Sequence, residues 1–277
     1  MYQTVYVLEP NAQSADRILH IFRDWGCRTI PIYQDSLNDE TLTHFDNPGL
    51  LILGPNVTDA LGCLRWSEQW NLLPVIIIDR EPSPVCDSLH CEPNVRFPLA
   101  MLQANLRPAV QHCLEWTQEC LRLGVRGEIQ VRFPSHSQHL ERFLKDVMNS
   151  WLYPQFEKED ESKKFYLATK EMGINAIEWG NRKNPALKVR INYRLFHDRV
   201  EIRIRDHGPG FDPNDLPHAA KSHDPLQHVE IREASGIRDG GFGIMMARAM
   251  VDELQFNSRG NEVMLRKNIT NPAKVVE

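Results

Sequence analysis

The sequence predicts two domains of different class, an α/β domain followed by an α+β domain. The first half of the chain alternates helical stretches with compact apolar runs, such as GLLILG at 49–54 and PVIIID at 74–79. Runs of this kind are typical of a parallel sheet that is covered on both faces. The second half instead contains two strands of alternating polarity with helices before and after them. A glycine-flanked joint at 124–127 separates the halves, so we expect domains at 1–123 and 127–270.

The composition of the chain argues against several classes of function. The chain has 277 residues, a formal net charge of -5 and a pI near 6.1, which argues against direct, sequence-independent binding of nucleic acid. No apolar run approaches the roughly 18–20 residues of a membrane span, and the N-terminus lacks the features of a signal peptide. We therefore expect a cytoplasmic protein with no membrane contact. The six cysteines form no C-x-x-C pair, which favours buried free thiols over a metal site.

The first half reads as a doubly wound α/β pattern. The predicted elements, in order, are a strand at 4–8, a helix at 12–25 closed by Gly26, strands at 49–54 and 74–79, a weaker strand at 94–98, and a helix at 99–123.

The second half follows a different order of elements. A strand at 128–133 precedes a helix that Ser135 or Ser137 can cap, with Leu140, Phe143, Leu144, Val147 and Met148 at helical spacing. A second helix at 159–180 places Phe165, Ala168, Met172, Ala176 and Trp179 along one face. The segments 186–196 and 199–205 form an antiparallel hairpin, and a last helix carries Ile244, Ala247, Val251 and Leu254 on its inner face. We expect a mixed sheet covered by helices on one side.

Two polar residues on the 159–180 helix suggest chemistry. Glu171 and Asn175 are four residues apart, so they project from the same face. Asn175 offers a neutral oxygen to Mg²⁺, and Glu171 is suited to act as a general base toward a hydroxyl group. Taken alone, such a pair is usually solvated surface.

The stretch RDHGPGFD at 205–212 adds an acid and two glycines at the end of a strand. The Asp206 carboxylate is a hydrogen-bond acceptor suited to an exocyclic amine such as N6 of adenine. Gly208 and Gly210 lack the Cβ atoms that would block a base. As a bare D-x-G-x-G pattern the signal is moderately specific, because many turns contain it.

A second glycine stretch, DGGFGI at 239–244, opens a helix. Gly241 and Gly243 expose backbone N–H groups at the positive end of that helix, where phosphates bind. The segment 212–238 between the two glycine stretches is long and polar, as in active-site lids or disordered loops. Its histidines, His218, His223 and His228, have a spacing that fits solvated side chains better than metal ligands.

These motifs occur in an order that resembles the ATP-binding domain shared by histidine kinases and gyrase, the GHKL or Bergerat fold. The segments EMGINAIEWGN, RDHGPGFDPNDLP, GGFGIMMARAMVDEL and GNEVMLRK look most like the anti-sigma-factor serine/threonine protein kinases, over residues 127–269. The resemblance implies that Glu171 is the catalytic base, that Asn175 binds Mg²⁺ and that Asp206 binds adenine. It also implies that Gly208, Gly210, Gly241 and Gly243 form the nucleotide loops. Two departures are Trp179, where the family often has His and which we interpret as packing, and Gly260-Asn261, which puts an amide near the adenine.

The first half resembles a response-regulator receiver domain, a flavodoxin-like fold, over residues 1–122. The receiver's functional residues are missing: Glu9-Pro10 replaces the acidic pair, and Gly54-Pro55 stands where the phosphoacceptor aspartate should be. Asp79 or Arg80 replaces the Ser/Thr, and Phe97-Pro98 replaces the Lys-Pro. The resemblance therefore implies a degenerate receiver used for docking or dimerisation.

The leading hypothesis is an ATP- and Mg²⁺-dependent protein serine/threonine kinase of the anti-sigma type. The resemblance implies that it phosphorylates a STAS-type antagonist (an anti-anti-sigma protein), can bind a sigma factor, and can form a homodimer. The alternative is a nucleotide-gated protein-binding module without phosphotransfer. A histidine kinase would need a phosphoacceptor helix pair, for which His136 and His139 are the nearby histidines, without a second hairpin helix.

Overall fold

The computed structural model describes residues 4–37, 41–42, 45–57, 71–81, 89–146, 153–211 and 243–269. The chain divides into two compact units, one formed by Met1–Cys86 with His90–Gln130 and the other by Asp87–Leu89 with Val131–Glu277. Within the described ranges, no helix has both the length and the apolar character needed to cross a membrane.

The first unit is built on a five-stranded sheet. Its strands are β1 (Thr4–Leu8), β2 (Arg28–Ile32), β3 (Leu50–Leu53), β4 (Val75–Asp79) and β6 (Val95–Pro98), and β5 (His90–Cys91) is a two-residue strand before the last of them. The order is β2-β1-β3-β4-β6, and every neighbouring pair is parallel. Two helices, α1 (Ala12–Asp24) and α2 (Leu102–Leu123), pack their apolar residues onto the same face of this sheet.

The predicted elements of the first half are confirmed, including the weak strand at 94–98. The predicted helix at 99–123 opens with a short 3-10 turn, Leu99–Met101. Gly26 adopts a φ of 76° directly after α1, as a helix-terminating glycine does. The sequence pattern missed β2. That strand contains Pro31, and a proline is tolerated there because β2 is an edge strand.

A buried carboxylate occupies the carboxyl edge of this parallel sheet. Glu9, which follows β1, has no exposed surface. It accepts hydrogen bonds from the backbone N–H of Asn11 and of Asn56, both at 3.0 Å, and from the side-chain amide of Asn56. A Cβ atom at Gly54 would overlap this carboxylate. Glu9 therefore fills the crevice between β1 and β3, the point at which open sheets of this type bind ligands.

In its described residues, the second unit contains an antiparallel sheet and three α-helices. Its elements are β7 (Gly127–Pro134), which begins before the unit boundary, α3 (Ser137–Phe143), a 3-10 turn (Tyr153–Gln155), α4 (Glu159–Asn175), β8 (Lys188–Leu195), β9 (Arg199–Arg205), α5 (Gly243–Met250), β10 (Glu253–Phe256) and β11 (Glu262–Asn268). The strands lie in the order β10-β11-β9-β8-β7. The three pairs from β10 to β8 are antiparallel.

The core of the second unit lies between the sheet and its helices. The predicted alternation along the hairpin is confirmed, because Val189, Ile191, Tyr193, Leu195, Val200, Ile202 and Ile204 are all buried. Phe165, Ala168 and Met172 supply the buried face of α4. The predicted helix at 159–180 is also confirmed, with its last part, Ala176–Gly180, wound as a π-helix.

Two details of the second half differ from the expectation. The residue before α3 is His136, and no side chain caps this helix. Ser135 instead donates to the carbonyl oxygen of Leu187 at 2.8 Å. Val251 and Leu254 are not on the last helix, since α5 ends at Met250; Leu254 lies in β10, a strand that the sequence pattern did not predict. Val147 and Met148 lie outside the described residues.

An inward-facing lysine connects the sheet to the start of α4. Lys267 of β11 is 8% exposed, and its ammonium group lies 2.6 Å from Glu161 and 3.3 Å from Asp252. Hydrogen bonds from Lys164 and Lys267 lower the pKa of Glu161 to about 2. The buried charge on this strand is thus neutralised by two carboxylates, as burial of an ammonium group requires.

Candidate functional site

One end of the candidate site lies where α4 meets the start of α5. Glu171 and Asn175 project from the same face of α4, and both are partly exposed. A Cβ atom built on Gly243, the first residue of α5, would lie 2.8 Å from Glu171 Oε2 and 3.7 Å from Asn175 Nδ2. The first turn of α5 therefore abuts both the predicted catalytic base, Glu171, and the predicted Mg²⁺ ligand, Asn175. Among the described residues, neither side chain has a hydrogen-bond or ion-pair partner.

The other end of the candidate site lies where β9 ends. Asp206 follows β9 directly, and its carboxyl group faces Gly180, the last residue of the π-helical turn. A Cβ atom on Gly180 would lie 2.7 Å from Asp206 Oδ1 and closer still to Asp206 Cγ. Asp206 Oδ1 also accepts the backbone N–H of Gly208 at 2.7 Å. The glycine at position 180 thus allows the carboxyl group to rest against the helix.

Burial raises the pKa of Asp206 above its ordinary value, which means that the surroundings disfavour the charged form. The hydrogen bond from the Gly208 N–H, and then the positive charges of His207, Arg259 and Arg205, oppose this rise. A carboxylate that is short of donors gains from a ligand N–H group placed against its remaining oxygen lone pairs.

The two glycines after Asp206 are required by the chain itself. A Cβ atom on Gly208 would overlap the carbonyl oxygen of Gly180, and one on Gly210 would overlap the carbonyl oxygen of Arg259. Gly210 also has a φ of 79°, which other residues rarely adopt. These contacts do not test the expectation that Gly208 and Gly210 clear space for a base. The closest atoms that a Cβ would meet at either position are backbone atoms of neighbouring segments.

Two buried asparagines hold the Asp206 segment in place. Asn181 is 1% exposed, and its side chain accepts the N–H of His207 at 2.8 Å while donating to Ser135 at 2.8 Å and to the Lys188 carbonyl at 3.0 Å. Asn261 is 5% exposed, and its backbone carbonyl accepts the Asp206 N–H at 3.1 Å.

The side-chain amide of Asn261 also lies 3.4 Å from the carbonyl oxygen of Asp206. Sequence reasoning singled out Asn261, although the contacts of its amide are with protein atoms. It missed Gly180 and Asn181, which stand beside each other in EWGN; a Gly-Asn pair at a helix end is the signal that was available.

Both ends of the candidate site involve α4 and its π-helical turn. Asn175 and Gly180, against which Asp206 rests, are five residues apart, which corresponds to about 7 Å along a helix axis. That Asn175 and Asp206 line one common site stays a prediction. Among the described residues, no three His, Cys, Asp or Glu side chains cluster as in a protein-only metal cage. A single amide oxygen fits Mg²⁺ only where substrate phosphates and water complete its shell.

The structure contradicts the expectation that Trp179 packs in the core. Its side chain is 70% exposed. The physical reason is the wider winding of the π-helical turn, which carries Ala176 and Ile177 inward and leaves Glu178 and Trp179 outside. Gly241 and the segment 212–238 lie outside the described residues, so the predicted roles of that glycine and of the lid stay predictions.

Comparison with known proteins yields related sequences for the second half of the chain. The serine-protein kinase RsbW of Oceanobacillus iheyensis is 28% identical over 104 residues, which cover 37% of this chain and 63% of that protein. The Staphylococcus epidermidis and Bacillus subtilis proteins of the same name are 26% and 25% identical, over 46% and 39% of this chain and 76% and 65% of their own lengths. The chain thus covers less than two thirds of the Oceanobacillus protein.

A solved response regulator, StyR, aligns over 90% of this chain and 100% of its own length, with a TM-score of 0.34 and 10% identity. Similarity at this level supports no conclusion about the first unit, whose resemblance to a receiver stays a prediction. The second half has a family match: residues 133–267 match the histidine kinase-like ATPase domain.

Proposed function

We propose that this chain is an ATP-dependent protein serine/threonine kinase of the anti-sigma-factor type. The observation that carries the proposal is the pair of contacts on α4. Gly243 lies against Glu171 and Asn175, and Gly180 lies against Asp206. On this basis we assign a general base, a metal-binding amide and an acceptor for an amine to one nucleotide site along this helix.

The expected binding mode follows from the chemistry of each end. The Asp206 carboxylate accepts a hydrogen bond from the exocyclic amine of adenine, which suits a carboxyl group whose burial leaves it short of donors. The triphosphate then extends toward Asn175 and the start of α5, where backbone N–H groups face the phosphates. Bound Mg²⁺, held by Asn175 and the phosphates, supplies charge neutralisation.

In the proposed reaction, Glu171 acts on the acceptor hydroxyl group. Its carboxylate takes the proton from a serine or threonine of the substrate while the hydroxyl oxygen forms a bond to the γ-phosphorus. The bond between the γ-phosphorus and the bridging oxygen breaks, and ADP leaves with that oxygen. Catalysis of this kind depends mainly on positioning and on charge stabilisation.

The substrate and partners are proposed from the similarity to the RsbW kinases. We expect a STAS-type anti-anti-sigma protein as phosphoacceptor and a sigma factor as a second partner. The first unit would then contribute a regulatory or dimerising surface.

Two substitutions test the separate roles. Glu171→Gln should retain ATP binding and abolish phosphotransfer, because the amide cannot accept the hydroxyl proton. Asp206→Asn should lose ATP binding, because the substituted amide presents a donor to the adenine amine. Calorimetric titration with Mg-ATP measures nucleotide binding, and transfer of labelled phosphate to a purified STAS protein measures phosphotransfer. If both variants bind ATP as tightly as the unaltered chain, the assigned roles are wrong.

The same experiment separates the kinase from a nucleotide-gated binding module. A chain that binds Mg-ATP but transfers no phosphate to the STAS protein would support the module. A chain that binds no nucleotide would exclude both.

A further inference from the structure

The turn between β10 and β11 begins with an asparagine whose side chain is oriented by the backbone. Asn257 follows β10 directly, and its side-chain oxygen accepts the backbone N–H of Asn261 at 3.1 Å and that of Glu262 at 3.2 Å. A backbone N–H group can only donate, so the side-chain atom that it meets has to be the oxygen. The amide nitrogen of Asn257 is therefore the group left to donate elsewhere.

The amide nitrogen of Asn257 engages the side chain of Asn261. Asn257 Nδ2 donates to Asn261 Oδ1 at 2.9 Å. Because this contact occupies the oxygen of Asn261, its Nδ2 is the end that faces the main-chain carbonyl oxygen of Asp206, at 3.4 Å. A carbonyl oxygen can only accept. The chain of hydrogen bonds thus has a single direction, from two backbone donors through two side-chain amides to a backbone acceptor.

This chain ends on the residue whose carboxyl group we assign to adenine. The N–H group of Asp206 also donates to the main-chain carbonyl of Asn261 at 3.1 Å, so Asn261 contacts both main-chain polar groups of Asp206. Asn261 is only 5% exposed. A buried polar group that loses its partner is not readily compensated by water, so the orientation of the Asn261 amide matters for the position of Asp206.

The same turn packs directly on the segment that follows Asp206. The N–H group of Phe211 donates to the carbonyl oxygen of Arg259 at 3.1 Å. A Cβ atom on Gly260 would overlap the carbonyl oxygen of Phe211. The rings of Phe211 and Phe256 also meet edge to face, with their centroids 5.0 Å apart. A displacement of this turn is therefore passed on to the segment 206–211.

We propose that Asn257 is a positioning residue for the nucleotide site. It acts through Asn261, whose amide it orients, and thereby fixes the main chain of Asp206 and the direction of the Asp206 carboxyl group. The consequence for nucleotide affinity rests on the proposed function, whereas the coupling of Asn257 to Asp206 is a property of the chain without nucleotide.

The substitution Asn257→Asp tests this role with almost no change of shape. It keeps an oxygen for the two backbone N–H groups and replaces the amide nitrogen with a second oxygen, which cannot donate to Asn261 Oδ1. Asn261 then either loses this hydrogen bond or turns its own oxygen toward the Asp206 carbonyl. A loss equivalent to one ordinary hydrogen bond should weaken ADP binding about 2- to 13-fold, as measured by calorimetric titration of the full chain.

Hydrogen exchange of the Asp206 N–H group, followed by NMR without nucleotide, is the second measurement. This N–H donates to the Asn261 carbonyl, so it reports the coupling directly. We expect its exchange to be faster in Asn257→Asp than in the unaltered chain.

Two controls separate positioning from other effects. Ser258→Asp adds the same charge at an exposed position of the same turn, and it should leave both measurements unchanged at about 0.15 M salt, where exposed charges are screened. In an Asn261→Ala background the intermediate amide is gone, so Asn257→Asp should produce no further change in Asp206 exchange. Circular dichroism and the unfolding midpoint show whether each variant keeps its fold.

The outcomes distinguish this inference from the proposed function. Unchanged Asp206 exchange in Asn257→Asp overturns the inference, whether or not the chain binds nucleotide. So does an equal change in Ser258→Asp, which would reflect charge alone, or a full effect that persists without the Asn261 side chain. Faster exchange with unaltered ADP affinity would overturn the positioning role and leave the proposed function standing. Faster exchange in a chain that binds no ADP would support the coupling and refute the proposed nucleotide site.

Discussion

Gly180 offers a sharp test of the geometry at the adenine end of the site. The three nearest atoms that a Cβ atom at this position would meet all belong to the Asp206 carboxyl group, namely Cγ and the two oxygens. That group is itself held by the Gly208 N–H at 2.7 Å, so it cannot swing freely away. Gly180→Ala should therefore displace Asp206 or strain the end of α4.

The magnitude follows from two opposing effects. Replacing glycine with alanine in a helix stabilises it by about 0.5–1 kcal/mol, whereas overpacking a fitted contact costs about 1–3 kcal/mol. We expect Gly180→Ala to lower the free energy of unfolding by roughly 0.5–2 kcal/mol, and nucleotide affinity to fall with it.

A double-mutant cycle isolates the contact. Asp206→Ala removes all three atoms that the new Cβ would meet, so in that background Gly180→Ala should raise the free energy of unfolding by about 0.5–1 kcal/mol. Urea unfolding of the four proteins, followed by circular dichroism, gives the coupling energy, which we expect to be about 1–3 kcal/mol. Equal destabilisation by Gly180→Ala in both backgrounds would show that the glycine does not accommodate Asp206.

Three further predictions concern the same site. Because the pKa of Asp206 is raised, the affinity for ADP should fall with decreasing pH sooner than an ordinary aspartate would cause; a titration series over pH measures this, and an affinity that does not change with pH would contradict it. Asn181→Ala should lower the free energy of unfolding by about 2–4 kcal/mol, since it removes three hydrogen bonds, one of them to the buried hydroxyl group of Ser135; a loss below 1 kcal/mol in urea unfolding would contradict that role. Trp179→Ala should change stability by less than about 0.5 kcal/mol, because the side chain is exposed, whereas a core tryptophan would cost about 3–5 kcal/mol; thermal unfolding distinguishes these outcomes.

Periodicity predicted the long elements well, for a physical reason. The runs at 50–53 and 75–79 and the alternation along β8 and β9 each arise from burial, which selects apolar residues at fixed intervals. The edge strands β2 and β10 were not recognised in this way. β2 contains a proline, and β10 has four residues, so neither presents a periodic pattern long enough to recognise.

The candidate site was predictable to the extent that its residues have unusual types. An acid followed by two glycines attracts attention, and so does a Glu–Asn pair on a helix. Trp179 shows the limit, because a 3.6-residue period places it on the apolar face, and the π-helical turn that carries it outward leaves no mark in the sequence. Asn181 shows a second limit, since its three partners lie 7, 26 and 46 residues away along the chain.

Glu9 limits what can bind at the carboxyl edge of the first unit's sheet. Its carboxylate is a tethered ligand, held against Asn11 and Asn56 in the crevice above Gly54. A free anion arriving there would compete with an occupant whose local concentration is fixed by the covalent chain, and would meet a charge of its own sign. The carboxyl edge of this sheet is thus occupied by the chain's own carboxylate, and we expect no free anion to bind there.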